Sequence, residues 1–171
     1  SIILDFTSVG ISFLFKNFIF GVLSAVVAVL LSLGLGKLFS LEKLNVFDQF
    51  IEAFIVVAFA EELGKFIFLR KIAYRSVHFN EPYDGIIYSV MISMGFATIE
   101  NILYSFSGGV GTAVMRMFTA VPAHATFAVI MGYYMGLAKF KKNKTLLLSL
   151  GLIGAIVFHG AYDFFLFLSF I

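Results

Sequence analysis

Glu61, Glu62 and Lys65, then Glu100, then Arg116 and His124, then His159 and Asp163 fall in four successive stretches of otherwise apolar sequence. In a membrane-spanning stretch an ionisable group costs about 2.5–3.5 kcal/mol on insertion scales, so it faces the protein interior and marks a site or a relay. Structural pairing between helices is the plainer role for one buried glutamate. Acidic and imidazole groups on four helices in a row argue for chemistry instead. Carboxylates and imidazoles move protons near neutral pH and ligate metals. With no cysteine in the chain, thiol nucleophiles and thiolate metal sites are excluded, so any metal would rest on His and Asp or Glu.

Spacing groups these residues further. At 100° per residue Glu61, Glu62 and Lys65 sit at about 0°, 100° and 40° around a helix, which places the lysine between two carboxylates on one face. Ser89, Ser93, Phe96, Glu100 and Tyr104 share a stripe on the next stretch, and His159 and Asp163 form an i, i+4 pair. Counting 1.5 Å per residue from the outer ends of the expected spans puts Glu61 and His159 roughly 16 Å deep, His124 about 18 Å, Glu100 about 9 Å and Asp163 about 10 Å. A single polar chamber is the expectation. Its four carboxylates, Glu61, Glu62, Glu100 and Asp163, outnumber the permanent cations Lys65 and Arg116 by two when both histidines are neutral. Protons, or one divalent metal, would neutralise that excess.

The elements that must hold this chamber are helices. Of the 171 residues, 61% are hydrophobic and 13% charged, with a mean hydropathy of +1.02, far more apolar surface than a soluble domain can bury. The apolar runs are too long for barrel strands. The reading is an all-α, polytopic transmembrane bundle forming one integral membrane domain over residues 1–171. Five main spans are expected at about 18–38, 50–69, 84–106, 112–138 and 145–170, preceded by a partial or interfacial helix over 1–15. Ser107 to Gly111 marks a turn between the third and fourth, and Pro122 falls inside the fourth. Lys16, Arg70, Lys71, Arg75, Lys139, Lys141, Lys142 and Lys144 fall on one side of the bilayer against Lys37 and Lys43 on the other. By the positive-inside rule the N-terminus is cytoplasmic and the C-terminal end of the chain extracytoplasmic, in a multi-pass protein of the cell membrane. A net charge of +2 gives no reason to expect nucleic acid as a partner.

Four motifs in order then carry a resemblance: Glu61-Glu62-x-x-Lys65; Glu81-Pro82-Tyr83-Asp84-Gly85 leading into Gly95-Phe96-Ala97-Thr98-Ile99-Glu100-Asn101; Pro122-Ala123-His124, with Arg116 ahead of it; and His159-Gly160-Ala161-Tyr162-Asp163. Across a motif-bearing core of about 50–165 the chain resembles the PrsW family of intramembrane proteases. The resemblance implies kinship with the CAAX-processing proteases and with the gamma-secretase subunit APH-1. Glu100 stands where the CAAX enzymes have His, and Asp163 where Asn is frequent, so this site is more acidic than theirs. A lipid-embedded peptidase acting on a single-pass membrane protein, for instance an anti-sigma factor, is what the resemblance implies.

Peptide hydrolysis needs a nucleophilic water, an oxyanion stabiliser and an acid for the leaving amine. In the preferred assignment Glu61 or Glu62 is the general base, its partner oriented by Lys65, while His124 and His159 bind water, oxyanion or leaving group. Glu100 and Asp163 position the imidazoles or share a proton, with Asn101 and Arg116 in support. In a metal-dependent version Zn²⁺ would sit on His124, His159 and a carboxylate such as Glu62, although no HExxH motif is present. A nonenzymatic scaffold of the APH-1 kind and a proton-coupled transporter are the competing classes. The complete Glu61, Glu62, His124 and His159 set favours the enzyme, and the missing repeated, broken helices disfavour the transporter.

Overall fold

The computed structural model describes residues 10–39, 41 and 45–169, and its order of elements is entirely helical. Helix α1 runs Ile11–Gly36. Asn45 caps α2 (Val46–Ile51) by accepting from the backbone N–H groups of Phe47 and Asp48 at 2.9 and 3.4 Å. A π-helical stretch, Glu52–Ala58, carries α2 into α3 (Phe59–Phe68), and a second, Leu69–Ala73, ends it. Then follow α4 (Pro82–Phe118), α5 (Ala120–Phe140) and α6 (Lys144–Leu168). By length and composition α1, α4, α5 and α6 can each cross a membrane. Unbroken helical backbone from Val46 to Ala73 supplies the fifth rod. Of the partial helix expected over 1–15, residues 1–9 lie outside the described residues, and the rest belongs to α1 from Ile11 onward.

Contacts between side chains fix the directions of the rods. Phe13 packs on Tyr88 and Phe96 clusters with Ala25 and Ala28, so α1 and α4 run parallel. Ser93 on α4 reaches the carbonyl of His124 at 2.9 Å, and α5 returns antiparallel. Phe20 meets Phe68 while Ser32 donates to Val56 O, so the α2–α3 rod opposes α1. Lys16 and the loops with Arg70, Lys71, Arg75 and Lys139 to Lys144 therefore gather at one end of the bundle, here called the basic end. The other is the far end.

Glycine sets how closely the helices cross. A Cβ at Gly21 would lie 1.9 Å from Ile92 O, and one at Gly95 1.9 Å from Phe18 O, so α1 and α4 touch backbone to backbone. Gly85, Gly132 and Gly136 do the same for α4 and α5. Small-residue crossings of this kind suit membranes, where packing replaces the hydrophobic drive. At the start of α4 the helix begins two residues earlier than Asp84: Glu81 is the N-cap and Pro82 the first helical residue. Asp84 closes a capping box, accepting from Glu81 N at 2.8 Å.

The third and fourth spans differ from expectation. Gly109, at φ 77°, ψ 176°, breaks α4 inside the expected Ser107 to Gly111 turn, and the chain doubles back. Asn101 Nδ2 then donates to Ala113 O at 3.1 Å, which twelve residues of straight helix would forbid. Residues 110–118 thus form a short returning flap, and the membrane helix α5 starts at Ala120, eight residues later than the sequence suggested. Pro122 explains the second break. Its ring clashes with the carbonyl four residues back, at Phe118, so no straight helix passes Thr119.

Candidate active site

Four of the five rods, all but α1, deliver their polar residues to one place in the far half. On α3, Lys65 Nζ donates to Glu62 Oε1 at 2.7 Å and stands 3.7 Å from Glu61 Oε2, so the lysine does lie between the two carboxylates. Its ammonium rests on the Phe96 ring of α4, 4.2 Å from the centroid. From α5, His124 Nδ1 approaches Lys65 Nζ at 3.2 Å and its Nε2 meets Glu100 Oε2 at 2.8 Å. An ammonium only donates, so Nδ1 accepts and the ring proton is on Nε2, given to Glu100. Glu100 also holds Arg116 of the flap at 2.8 Å. From α6, His159 Nδ1 bonds Glu62 Oε1 at 2.8 Å. Its Nε2 lies 3.2 Å from Asp163 Oδ2 and 3.8 Å from Glu61 Oε2.

All eight ionisable residues singled out from sequence therefore meet, including the −2 formal imbalance. Glu62, Lys65, His124 and His159 are each 1–3% exposed. Buried charge is tolerable only when paired and hydrogen-bonded, and Glu62 and Lys65 satisfy that condition. Three atoms do not. Glu61 Oε2, Arg116 Nε and Asp163 Oδ2 are buried without a hydrogen-bond partner. All three side chains line a cavity of about 360 Å³, together with Glu100, His124 and His159.

Asn101 is the site residue that the structure places elsewhere: it pins the flap by its Ala113 bond and does not face the cavity. Ser93 anchors α5 through the His124 carbonyl, in keeping with a packing role. His124 sits only four residues into α5, about 6 Å from its start, not the 18 Å expected from an unbroken span. Phe127, which stacks on His159 at 4.9 Å and 17°, escaped the sequence reading. Phe96 and Tyr104, which spacing had placed on the Glu100 stripe, carry Lys65 at 4.2 Å and Arg116 at 3.9 Å. Phe127 falls at i+3 from His124, a signal lost among 23 phenylalanines.

Glu61, His124 and His159 can each point one ligand atom so that all three lie within 4.8 Å of one another. Two imidazoles and a carboxylate are a donor set suited to zinc. The unpartnered Glu61 and Asp163 oxygens add to the fit, because each leaves negative charge facing the cavity. Of the glutamate pair it is Glu61 whose carboxylate oxygen lies within this group, while Glu62 Oε1 is already taken by Lys65 and His159. Glu62 instead holds His159 from behind, as the outer carboxylate of a metal-bound imidazole does.

Comparison with known proteins agrees with this arrangement. Residues 10–171 match the family model described as PrsW family intramembrane metalloprotease. The chain is similar to Protease PrsW of Bacillus subtilis (strain 168), 43% identical over 129 residues covering 74% of this chain and 59% of the relative. It is 45% identical to Protease PrsW of Geobacillus kaustophilus (strain HTA426) over 67% of this chain and 52% of the relative. Against Protease PrsW of Clostridioides difficile (strain 630) it is 36% identical over 92% of this chain and 68% of the relative. The chain thus spans about half to two thirds of the length of these relatives. No solved structure matches it. With the family model covering nearly the whole chain and each of the four motifs contributing at least one residue to the cavity wall, the chain belongs to the PrsW family of intramembrane metalloproteases.

Proposed function

We propose that this chain hydrolyses a peptide bond of a single-pass membrane protein inside the bilayer, with the basic end cytoplasmic and the cavity in the extracytoplasmic half. The observation that carries this reading is the convergence of Glu61, His124 and His159 on one cavity. A zinc-type ion held by those three would lower the pKa of a bound water and polarise the scissile carbonyl. The chain's own residues do the rest. Asp163 Oδ2, which faces the cavity without a hydrogen bond and lies 3.2 Å from His159 Nε2, accepts the proton of the attacking water. Arg116, held against Glu100 and facing the same cavity, is placed to stabilise an oxyanion. Glu62, Lys65 and Phe127 fix the two imidazoles in place.

A metal-free reading has one observation in its favour: both nitrogens of His124 already have partners, Lys65 and Glu100. In that case Glu61, the glutamate of the pair that lines the cavity, is the general base. Zinc content and activity decide between the two. In liposomes carrying a tagged single-pass substrate, Glu61→Gln and His159→Ala should each lower cleavage at least 100-fold, while Ser105→Ala, exposed and bonded only within its own helix, changes it less than threefold. Stoichiometric zinc lost in His124→Ala, with activity lost on chelation and restored by zinc, supports the metal site. Full activity without metal transfers the role to Glu61. Normal cleavage by both Glu61→Gln and His159→Ala refutes the peptidase reading.

A further inference from the structure

The parallel helices α1 and α4 are not in contact along their whole length. Around Gly21 and Gly95 their backbones touch, but toward the far end a cavity opens between them. It is a cleft whose walls include Ala25, Ala28, Val29 and Leu33 on one side and Leu103 on the other, with Glu61 and Glu100 at its floor. Val29, Leu33 and Leu103 are half exposed on the lipid-facing surface. The larger cavity reaches the same two glutamates from the opposite side, past Thr112, Thr119, Arg116 and Asp163. The carboxylates therefore have two approaches, one lateral and walled by lipid-facing aliphatic side chains, the other close to the helix ends and carrying Arg116, His124, His159 and Asp163 among its apolar walls.

We infer that the cleft between α1 and α4 is the lateral entrance for the substrate, and that it takes a locally unwound, uncharged stretch of a single-pass helix while water arrives through the cavity that carries Arg116 and Asp163. This rests on the peptidase reading of the site. The occupant follows from the floor of the cleft. An acyl chain would leave Glu61, whose Oε2 has no hydrogen-bond partner, facing hydrocarbon with no donor, which is costly. An intact helix would do the same, since its backbone groups are bonded internally. An unwound stretch presents free N–H groups that find no other acceptor within the bilayer, and its apolar side chains lie against Val29, Leu33 and Leu103. Small or helix-breaking residues are the ones that unwind at least cost, so a Gly- or Ser-bearing segment near the far end is the chemistry that fits. The α1–α4 contact at Gly21 and Gly95 closes the cleft toward the basic end and limits how deep the segment can go.

The chain has no cysteine, so single cysteines report position cleanly. Chains carrying Glu61→Gln, with Leu33→Cys, Leu103→Cys or, on the lipid-facing side of α6, Val157→Cys, are co-reconstituted in phosphatidylcholine vesicles with a synthetic Leu/Ala transmembrane peptide that has a Gly-Ser-Gly break and a cysteine beside it. Oxidative cross-linking is the readout, and it needs no hydrolysis, so failure of the peptidase reading does not mask the result. Yields at Leu33→Cys and Leu103→Cys should exceed that at Val157→Cys at least tenfold and fall at least fivefold with an unbroken Leu/Ala peptide. Adding Val29→Trp should cut the Leu103→Cys yield at least fivefold with an unchanged melting temperature. Equal yields at all three positions, yields indifferent to the break, or no effect of Val29→Trp would overturn the proposal.

Discussion

The two halves of this bundle are built on opposite rules. Toward the basic end, helices meet backbone to backbone at glycines and the tyrosine hydroxyls are satisfied, Tyr74 Oη donating to Ala138 O at 2.9 Å and Tyr88 Oη to His78 O at 2.7 Å, while the buried unpartnered side-chain atom there, Asn17 Oδ1, is uncharged. Toward the far end a cavity opens between α1 and α4, α4 breaks at Gly109, and the chain breaks again at Thr119. Four buried polar atoms stand unpartnered there, on Glu61, Asn101, Arg116 and Asp163. Stability and function are divided along the membrane normal, with one half acting as a clamp and the other keeping charge unsatisfied for use. Sites that work on a substrate are expected to break local rules in this way.

The largest test of that division is Glu62, which belongs to the far half but is paired as tightly as anything in the clamp. Glu62→Ala removes the acceptor of both Lys65 and His159 and leaves a buried ammonium without its closest partner. Breaking a buried pair by deleting one member costs about 3–5 kcal/mol, and thermal melting of the detergent-solubilised protein should show it. A melting temperature within 1 °C of the parent, on the order of 0.3 kcal/mol for a chain of this size, would mean the Glu62 network adds nothing to folding. Next in size is the crossing itself. Gly95→Ala puts a methyl 1.9 Å from the Phe18 carbonyl, so α1 must move away from α4, at about 1–3 kcal/mol by the usual cost of overpacking. The same melt measures it, and Gly34→Ala, with nothing within 4 Å, is the control that should not destabilise.

A smaller, local effect is expected at Gly109. Its φ of 77° with ψ near 180° is a region that glycine alone occupies readily, although a methyl would meet nothing within 4 Å. Gly109→Ala should therefore cost about 1–3 kcal/mol of local strain, released by loosening the flap and not by unfolding the bundle. Hydrogen exchange across residues 110–118 should speed up while α5 and α6 remain protected. Uniform acceleration through all helices would show that flap and bundle are one cooperative unit.

What the sequence made legible follows from these energies. Ionisable residues in apolar helices stand out because their burial cost holds in any fold, so Glu61, Glu62, Lys65, Glu100, Arg116, His124, His159 and Asp163 could be found without knowing which helices touch. The turn at Ser107 to Gly111 was readable from glycine for a similar reason. The returning flap was not, because the conformation of Gly109 sends the chain back along α4 and periodicity carries no information about that choice. Pro122 carried the signal for the Thr119 break, yet a proline within an apolar run also reads as a kinked span. The α1–α4 cleft and the stacking of Phe127 on His159 depend on helix pairing, to which composition and spacing are blind.

The smallest expected effect is also the one that separates the two neighbouring glutamates most sharply. Glu61 and Glu62 are adjacent, both beside Lys65, and the sequence favoured Glu61 as the base only slightly. In the structure Glu62 Oε1 has two partners within 2.8 Å, whereas Glu61 Oε2 is buried with none and stands 3.7 Å from the lysine. Replacing Glu61 by glutamine keeps the shape and removes a charge that the protein does not fully compensate. In the presence of chelator Glu61→Gln should therefore melt within about 1 kcal/mol of the parent or above it, since an uncompensated buried charge is itself destabilising. Zinc should then split them. An ion that binds the folded chain stabilises it by RT ln(1 + [L]/Kd), about 2.7 kcal/mol at a hundredfold excess over Kd, and only the parent, with its third donor intact, should gain that much. A zinc-dependent rise of equal size in both proteins would remove Glu61 from the metal site. A rise in neither would leave Glu61 as the general base of a metal-free site, with the division between a satisfied half and an unsatisfied half still intact.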